Sequence, residues 1–241
     1  FLAEAFTRPK IMNELAKQGF SQSYTYFTWR DSKKELTDYV TELTQTEQKE
    51  FYRPNFWPNT PDINPFALQS GNESVHLQKY FLAATLSSSV GIYGPVFEYR
   101  VCEPMAAGKE EYLNSEKYEY YHWDWSIQNK LTTLITRINA IRNEQASLQQ
   151  TNNITFCDTN NEQVMAYYKY DDTRDNDTLM VVSLDAFNNA QAMVRIPIEQ
   201  LGNQPLKVED LITGNTYYWD KEWNFVELSP AMPFHLFKII R

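Results

Sequence analysis

A chain of 241 residues, 42% hydrophobic and 22% charged, has the makeup of an ordinary folded protein and excludes disorder and coiled coil. With 22 basic against 31 acidic residues the net charge is −9, and no basic cluster offsets it locally, so nucleic acid and membrane surfaces are not expected partners. A neutral ligand such as a sugar suits this balance better. The 15% aromatic content supplies flat faces with hydrogen-bonding edges, although a large aromatic core accounts for most of it.

No apolar run reaches the roughly 18 residues of a membrane span. Cys102 and Cys157 form neither a disulfide framework nor a zinc site, which favours a reducing compartment. The chain opens in Phe1-Leu2-Ala3 without an initiator Met, which reads as the tail of a buried strand in an excised fragment.

Residues 1–149 alternate short apolar runs with helical patterns, as βα units do. Phe1 to Ala3 ends one strand, and Pro9 suits the first turn of a helix running to about Gly19. Tyr24 to Trp29 is the next strand, followed by a polar helix over about Ser32 to Glu50. Asn55 to Trp57 is a third strand. Val75, Leu77, Phe81, Leu82 and Leu86 set a helical period over Ser74 to Ser87. Val90 to Tyr93 is a fourth strand. Glu98 to Trp125 reads as a long loop with a short helix near Lys109 to Leu113. Leu131, Leu134, Ile135, Ile138 and Ile141 form an apolar stripe on a helix over Ser126 to Leu148.

Beyond Gln149 the texture changes. Strands are predicted at Ile154–Cys157, Val164–Lys169, Thr178–Leu184, Ala192–Ile196, Leu206–Asp210, Thr216–Trp219 and His235–Ile239. Turn signals separate them at Asp171-Asp172, Asn188-Asn189, Gly202-Asn203 and Thr213-Gly214-Asn215. The fold class is therefore α/β followed by all-β. Residues 1–149 supply about four βα units, half of what a TIM (β/α)8 barrel needs. Residues 150–241 form a C-terminal antiparallel β-sandwich.

Active sites of such barrels lie just past the C-terminal ends of the strands. Glu4 follows the first strand among apolar neighbours that would desolvate its charged form, as a general acid requires, with Arg8 opposing. A carboxylate at a helix N-terminus is an equally good local reading. Asp62 sits in Pro58-Asn59-Thr60-Pro61-Asp62, where two prolines stiffen the loop; a turn Asp capping local amides explains it as well. Lys117 and Tyr118 pair a point charge with a hydroxyl donor, which suits a phosphate, unless Lys117 merely pairs with Glu116 or Glu119. The three histidines show no metal spacing. His76 reads as surface and His235 as structural. No Ser-His-Asp pattern, P-loop or Rossmann glycine run is present.

Leu2-Ala3-Glu4-Ala5-Phe6-Thr7-Arg8-Pro9 resembles the fifth-strand motif of the bacterial α-1,4-glucan:maltose-1-phosphate maltosyltransferases, intracellular members of the α-amylase superfamily. Further likeness runs through Tyr24–Arg30, Asn55–Asp62, Gly91–Pro95, Tyr112–Glu119 and His122–Trp125. The β-rich tail resembles that family's C-terminal domain.

The resemblance implies a retaining mechanism with maltose 1-phosphate and an α-1,4-glucan as substrates and no cofactor or metal. Glu4 matches the acid/base position and Asp62 the transition-state stabiliser. Lys117 and Tyr118 become phosphate contacts. The nucleophilic Asp would lie upstream of Phe1, so the fragment alone is expected to be inactive. Pro61 stands where many superfamily members carry a His, as the maltosyltransferase pattern expects. A cytoplasmic location and a homodimer are expected. Two other readings stay open: a hydrolase of the same superfamily, and a non-catalytic glucan-binding module built on the β-rich tail. For the second, Tyr217, Tyr218, Trp219 and Trp223 are the aromatics to inspect, with Trp219 and Trp223 read as core or hairpin packing.

Overall fold

The structure is a computed structural model that describes residues 1–202 and 205–240. Among them, four short strands form a parallel sheet in chain order: β1 (Leu2–Ala3), β2 (Gln22–Tyr24), β3 (Pro54–Phe56) and β4 (Ser89–Val90). Leu2 pairs with Gln22, Ser23 with Pro54 and Asn55 with Ser89. Crossover helices join them, as parallel pairing requires. Helix α1 (Pro9–Lys17) starts at its proline and turns Met12 and Ala16 inward. Helix α2 (Lys33–Gln45) opens with a reciprocal cap. The Ser32 hydroxyl accepts from Glu35 N at 3.3 Å, and the Glu35 carboxylate accepts from Ser32 N at 3.1 Å. The predicted single helix to Glu50 is broken at Thr46, and a separate turn, α3 (Gln48–Phe51), follows.

The predicted strand Tyr24–Trp29 is corrected. Pairing stops at Tyr24, and Tyr26–Trp29 is a 3-10 turn. Phe27 is fully buried and stacks on Phe56 with ring centroids 4.5 Å apart, while the Tyr39 hydroxyl accepts from Tyr26 N at 3.0 Å. Apolar side chains that suggested a strand are satisfied by packing on a turn. The helix expected near Lys109 to Leu113 is also absent. Pro104 and Tyr112 form an antiparallel bridge there, and a short helix, α5 (Gly94–Glu98), lies upstream of it.

Helix α4 (Glu73–Leu86) is buried nearly all round because it lies between two sheets. Its outer partner is a six-stranded antiparallel sheet of order β10-β9-β12-β7-β6-β5. These strands are β5 (Ile154–Cys157), β6 (Val164–Lys169), β7 (Thr178–Ser183), β9 (Leu206–Asp210), β10 (Thr216–Trp219) and β12 (Phe234–Ile240). Phe81 of α4 stacks on Phe234 with centroids 4.2 Å apart and planes 7° from parallel, and the Thr85 and Tyr167 hydroxyls are 2.5 Å apart. Helix α6 (Lys130–Glu144) packs beside α4 through Leu131, Leu134, Ile138 and Ile141, with Ile135 only half-buried. One apolar core therefore runs from the parallel sheet through α4 and α6 into the antiparallel sheet.

The opposite face of the six-stranded sheet is covered by a two-stranded ribbon, β8 (Ala190–Arg195) with β11 (Trp223–Leu228). β11 and the single helical turn α7 (Ile198–Leu201) have no counterpart in the sequence reading. Of the turn signals, Asn203 lies outside the described residues.

His76, expected at the surface, is 1% exposed. Its Nδ1 lies 2.9 Å from Asn72 O, its ring is 5.2 Å from Phe97, and burial pushes it down to about 4. The unfolded chain then takes up a proton near pH 6.5 while the fold does not. Stability is complete above that pH and falls by about 3 kcal/mol as pH drops toward 4. Urea midpoints between pH 7 and 4 should fall less steeply in His76→Gln than in the wild type; identical slopes would remove His76 as the source.

Candidate active site

The four parallel strands place their C-terminal ends along one edge of the sheet, so the residues that follow them come together there. Glu4 follows β1, Tyr24 ends β2, the loop Trp57–Asp62 follows β3 and Gly91 follows β4. Tyr24 is the hinge of the cluster. Its ring lies 5.7 Å from Phe6 and 4.9 Å from Trp57. Burial first, then the negative charges of Glu4 and Asp62, raise its phenol above the ordinary value. The two carboxylates thus act on one buried hydroxyl from the two strands flanking β2. Glu4 and Asp62 are themselves exposed.

The loop after β3 is fixed by hydrogen bonds as well as prolines. Asn59 is 1% exposed; its Oδ1 accepts from Tyr93 N at 3.0 Å and its amide donates to the Tyr112 hydroxyl at 2.9 Å. Tyr112 donates in turn to Ile63 O at 3.2 Å, and Thr60 Oγ1 accepts from Asp62 N and Ile63 N at 3.2 and 3.1 Å. Asn59 therefore ties the β3 loop to the segments after β4. Trp57 lies flat on Gly91, where a Cβ would stand 2.3 Å from Cε2 of the indole.

Lys117 comes to the same place from the long loop after α5. Its ammonium pairs with the Asp62 carboxylate, and that contact raises its affinity for the proton. It does not pair with Glu116. That carboxylate accepts instead from the Tyr93 hydroxyl at 2.5 Å and from Trp123 Nε1 at 2.9 Å. Tyr118 stands 75% exposed beside Lys117. Of the four residues singled out in the sequence, Asp62 and Lys117 are in contact, Glu4 joins them through Tyr24, and Tyr118 borders them.

The sequence reading missed Tyr24, Trp57, Asn59, Tyr93 and Gly91. All five lay inside quoted motifs without a role, and nothing local shows that Trp57 packs on Gly91. Among the described residues, no three His, Cys, Asp or Glu side chains are grouped to hold a metal ion, and no helix is long and apolar enough to cross a membrane.

Parallel strands with a carboxylate cluster at their C-terminal edge, followed by an antiparallel β unit, define the class. The fold is that of the α-amylases. An α-amylase from Geobacillus thermoleovorans, solved with acarbose, matches all of this chain and 53% of its own at TM-score 0.73 and 14% identity. A maltogenic α-amylase from Thermotoga neapolitana matches 93% of this chain and 52% of its own at TM-score 0.68 and 14% identity.

Sequence narrows the kinship. Residues 156–239 match the family model described as GLGE, C-terminal. The α-1,4-glucan:maltose-1-phosphate maltosyltransferase of Chlorobaculum tepidum is 49% identical over 99% of this chain and 37% of its own length. That of Methylacidiphilum infernorum is 46% identical over 99% of this chain and 36% of its own. The chain spans a little over a third of the length of these relatives. Over nearly its whole length it corresponds to the C-terminal region of the α-1,4-glucan:maltose-1-phosphate maltosyltransferases.

Proposed function

We propose that the full-length protein carrying this chain is a retaining glycosyltransferase that moves maltosyl units from maltose 1-phosphate to the non-reducing end of α-1,4-glucans. In this reading β1 to β4 are strands 5–8 of a (β/α)8 barrel within residues 1–149, and residues 150–241 are a β-sandwich domain. The nucleophilic Asp comes from the part upstream of Phe1, so the 241-residue chain alone has no turnover. The protein works in the cytoplasm as a homodimer.

The observation that carries this reading is the ion pair between Lys117 and Asp62 at the C-terminal edge of the parallel sheet. A hydrolase of neutral sugars has no leaving-group charge for such a cation to meet. A sugar phosphate does, and an ammonium beside the stabilising carboxylate is placed to receive the departing phosphate, with the Tyr118 hydroxyl as a second donor. Glu4 protonates the leaving oxygen, then takes the proton from the acceptor hydroxyl as that hydroxyl attacks the glycosyl-enzyme. Asp62 holds the sugar and stabilises its developing positive charge. No nucleotide, cofactor or metal enters these steps.

The test is phosphate release from maltose 1-phosphate by the full-length protein in the presence of maltooligosaccharide. Wild type is expected to release phosphate in step with chain elongation, and Lys117→Met to lose roughly tenfold or more in kcat/KM for the donor. Maltose formation from oligosaccharide alone, with no dependence on the phosphate donor, would identify a hydrolase instead.

A further inference from the structure

Away from the Glu4–Asp62 cluster, a cleft of about 580 Å³ opens between α4, the residues after the Tyr26–Trp29 turn and the connection from β7 to β8. Its size lies within the range of small-ligand sites, and it sits where two structural units meet, a common place for one. None of Glu4, Tyr24, Trp57, Asp62 or Lys117 lines it.

The charges in its wall cancel. Arg30 and Lys79 are matched by Asp31 and Asp185. Lys79 is 4% exposed and fully engaged: it pairs with Asp31 at 2.6 Å and donates to Arg30 O at 2.7 Å. Asp185 is spent on its own turn, accepting from Phe187 N at 2.8 Å and Asn188 N at 3.1 Å. The Arg30 guanidinium lies over the Tyr26 and Tyr39 rings, 5.8 and 5.3 Å from their centroids, so the wall carries no net charge to draw an ion. One polar group is left over. Gln78 is 5% exposed, and its amide nitrogen is buried with no hydrogen-bond partner among the described residues. Leaving a buried donor unmade costs free energy that a ligand oxygen would recover. At the rim, Phe187 is 72% exposed on the turn that Asp185 pins, so an aromatic face is presented at little further entropic cost.

A neutral wall, an unmet donor in the floor and a fixed aromatic face at the rim fit a ligand that is uncharged, rich in oxygen acceptors and apolar on one side. A pyranose has these properties. We infer that this cleft is a second α-glucan site, in which one glucosyl unit stacks on Phe187 and a hydroxyl accepts from Gln78. It holds acceptor chain at a distance from the catalytic edge. The glucan identity rests on the function proposed above; the neutral-sugar chemistry rests on the cleft.

The test reads binding, not turnover. The full-length wild type, Phe187→Ala and Gln78→Leu are run in native gels containing glycogen. Both variants are expected to be retarded less, with apparent dissociation constants raised about fivefold. Retardation equal to wild type in both overturns the site. So does a change in sedimentation coefficient for Phe187→Ala, which would make the rim a contact between copies of the chain. In transfer assays the KM for glycogen should rise in Phe187→Ala while that for maltotetraose stays unchanged; equal increases for both acceptors also count against the site. Because Phe187 is exposed, its variant tests the site even if Gln78→Leu folds poorly. A wild type that is retarded by glycogen through Phe187 yet releases no phosphate from maltose 1-phosphate would sink the proposed reaction and leave the cleft standing.

Discussion

Glu4→Gln in the full-length protein is expected to lower steady-state maltosyl transfer by roughly 10²- to 10⁴-fold, the span of a lost general acid and base. Gln keeps the shape of the side chain but can neither give nor take the proton. The two half-reactions should suffer unequally. Phosphate leaves readily without full protonation, so the donor step is less impaired. The acceptor hydroxyl is a poor nucleophile without a base, so the second step is impaired more. Rapid mixing should show a burst of phosphate near one equivalent of enzyme, followed by slow turnover. Transfer within threefold of wild type would remove Glu4 from the role.

Gly91→Ala is expected to destabilise the fold by about 1–3 kcal/mol and to depress transfer with it. The added Cβ would lie 2.3, 2.4 and 2.6 Å from three atoms of the Trp57 indole, so the ring must move. Trp57 packs 4.9 Å from Tyr24, the ring that joins the two carboxylates, so the movement is passed to the site. The reason for glycine here is space, not backbone conformation. Trimming the partner should therefore repair the damage: Gly91→Ala combined with Trp57→Leu should recover part of the lost urea midpoint, giving a favourable coupling in a double-mutant cycle. A double variant as unstable as the sum of the two single changes would show that the contact is not the cause.

Much of the chain order was legible because its elements are local. The capped helix at Ser32, the stripe on α6 and the alternating runs after Asn153 each announce themselves within a few residues. What failed was decided at long range. Tyr26–Trp29 looks like a strand until Phe27 finds Phe56. β11 was hidden because its inward residues are Asn224, Val226 and Leu228 while Trp223 and Phe225 face out, inverting the usual cue. His76 was misjudged because α4 is covered on both sides, which no single-helix pattern reveals.

At the site, the carboxylates could be named from their motifs. The partner of Lys117 could not, since Asp62 lies 55 positions earlier and Glu116 and Glu119 are nearer in sequence. The aromatics considered for a glucan platform on the β-rich part divide differently. Trp219 is 6% exposed against Phe237, as expected of core, whereas Trp223 lies at the surface. Tyr217 and Tyr218, as neighbours on β10, face opposite sides and do not make one stacking surface.

The wedged position of α4 bears on how such proteins can be recombined. Its Phe81 lies flat on Phe234, and its Thr85 meets Tyr167. A chimera that joined the parallel-sheet segment of one homologue to the tail of another would have to match these partners as a set. The seam between the two segments is therefore a poor crossover point, and lineages should inherit the pair together rather than trade the tail as an accessory.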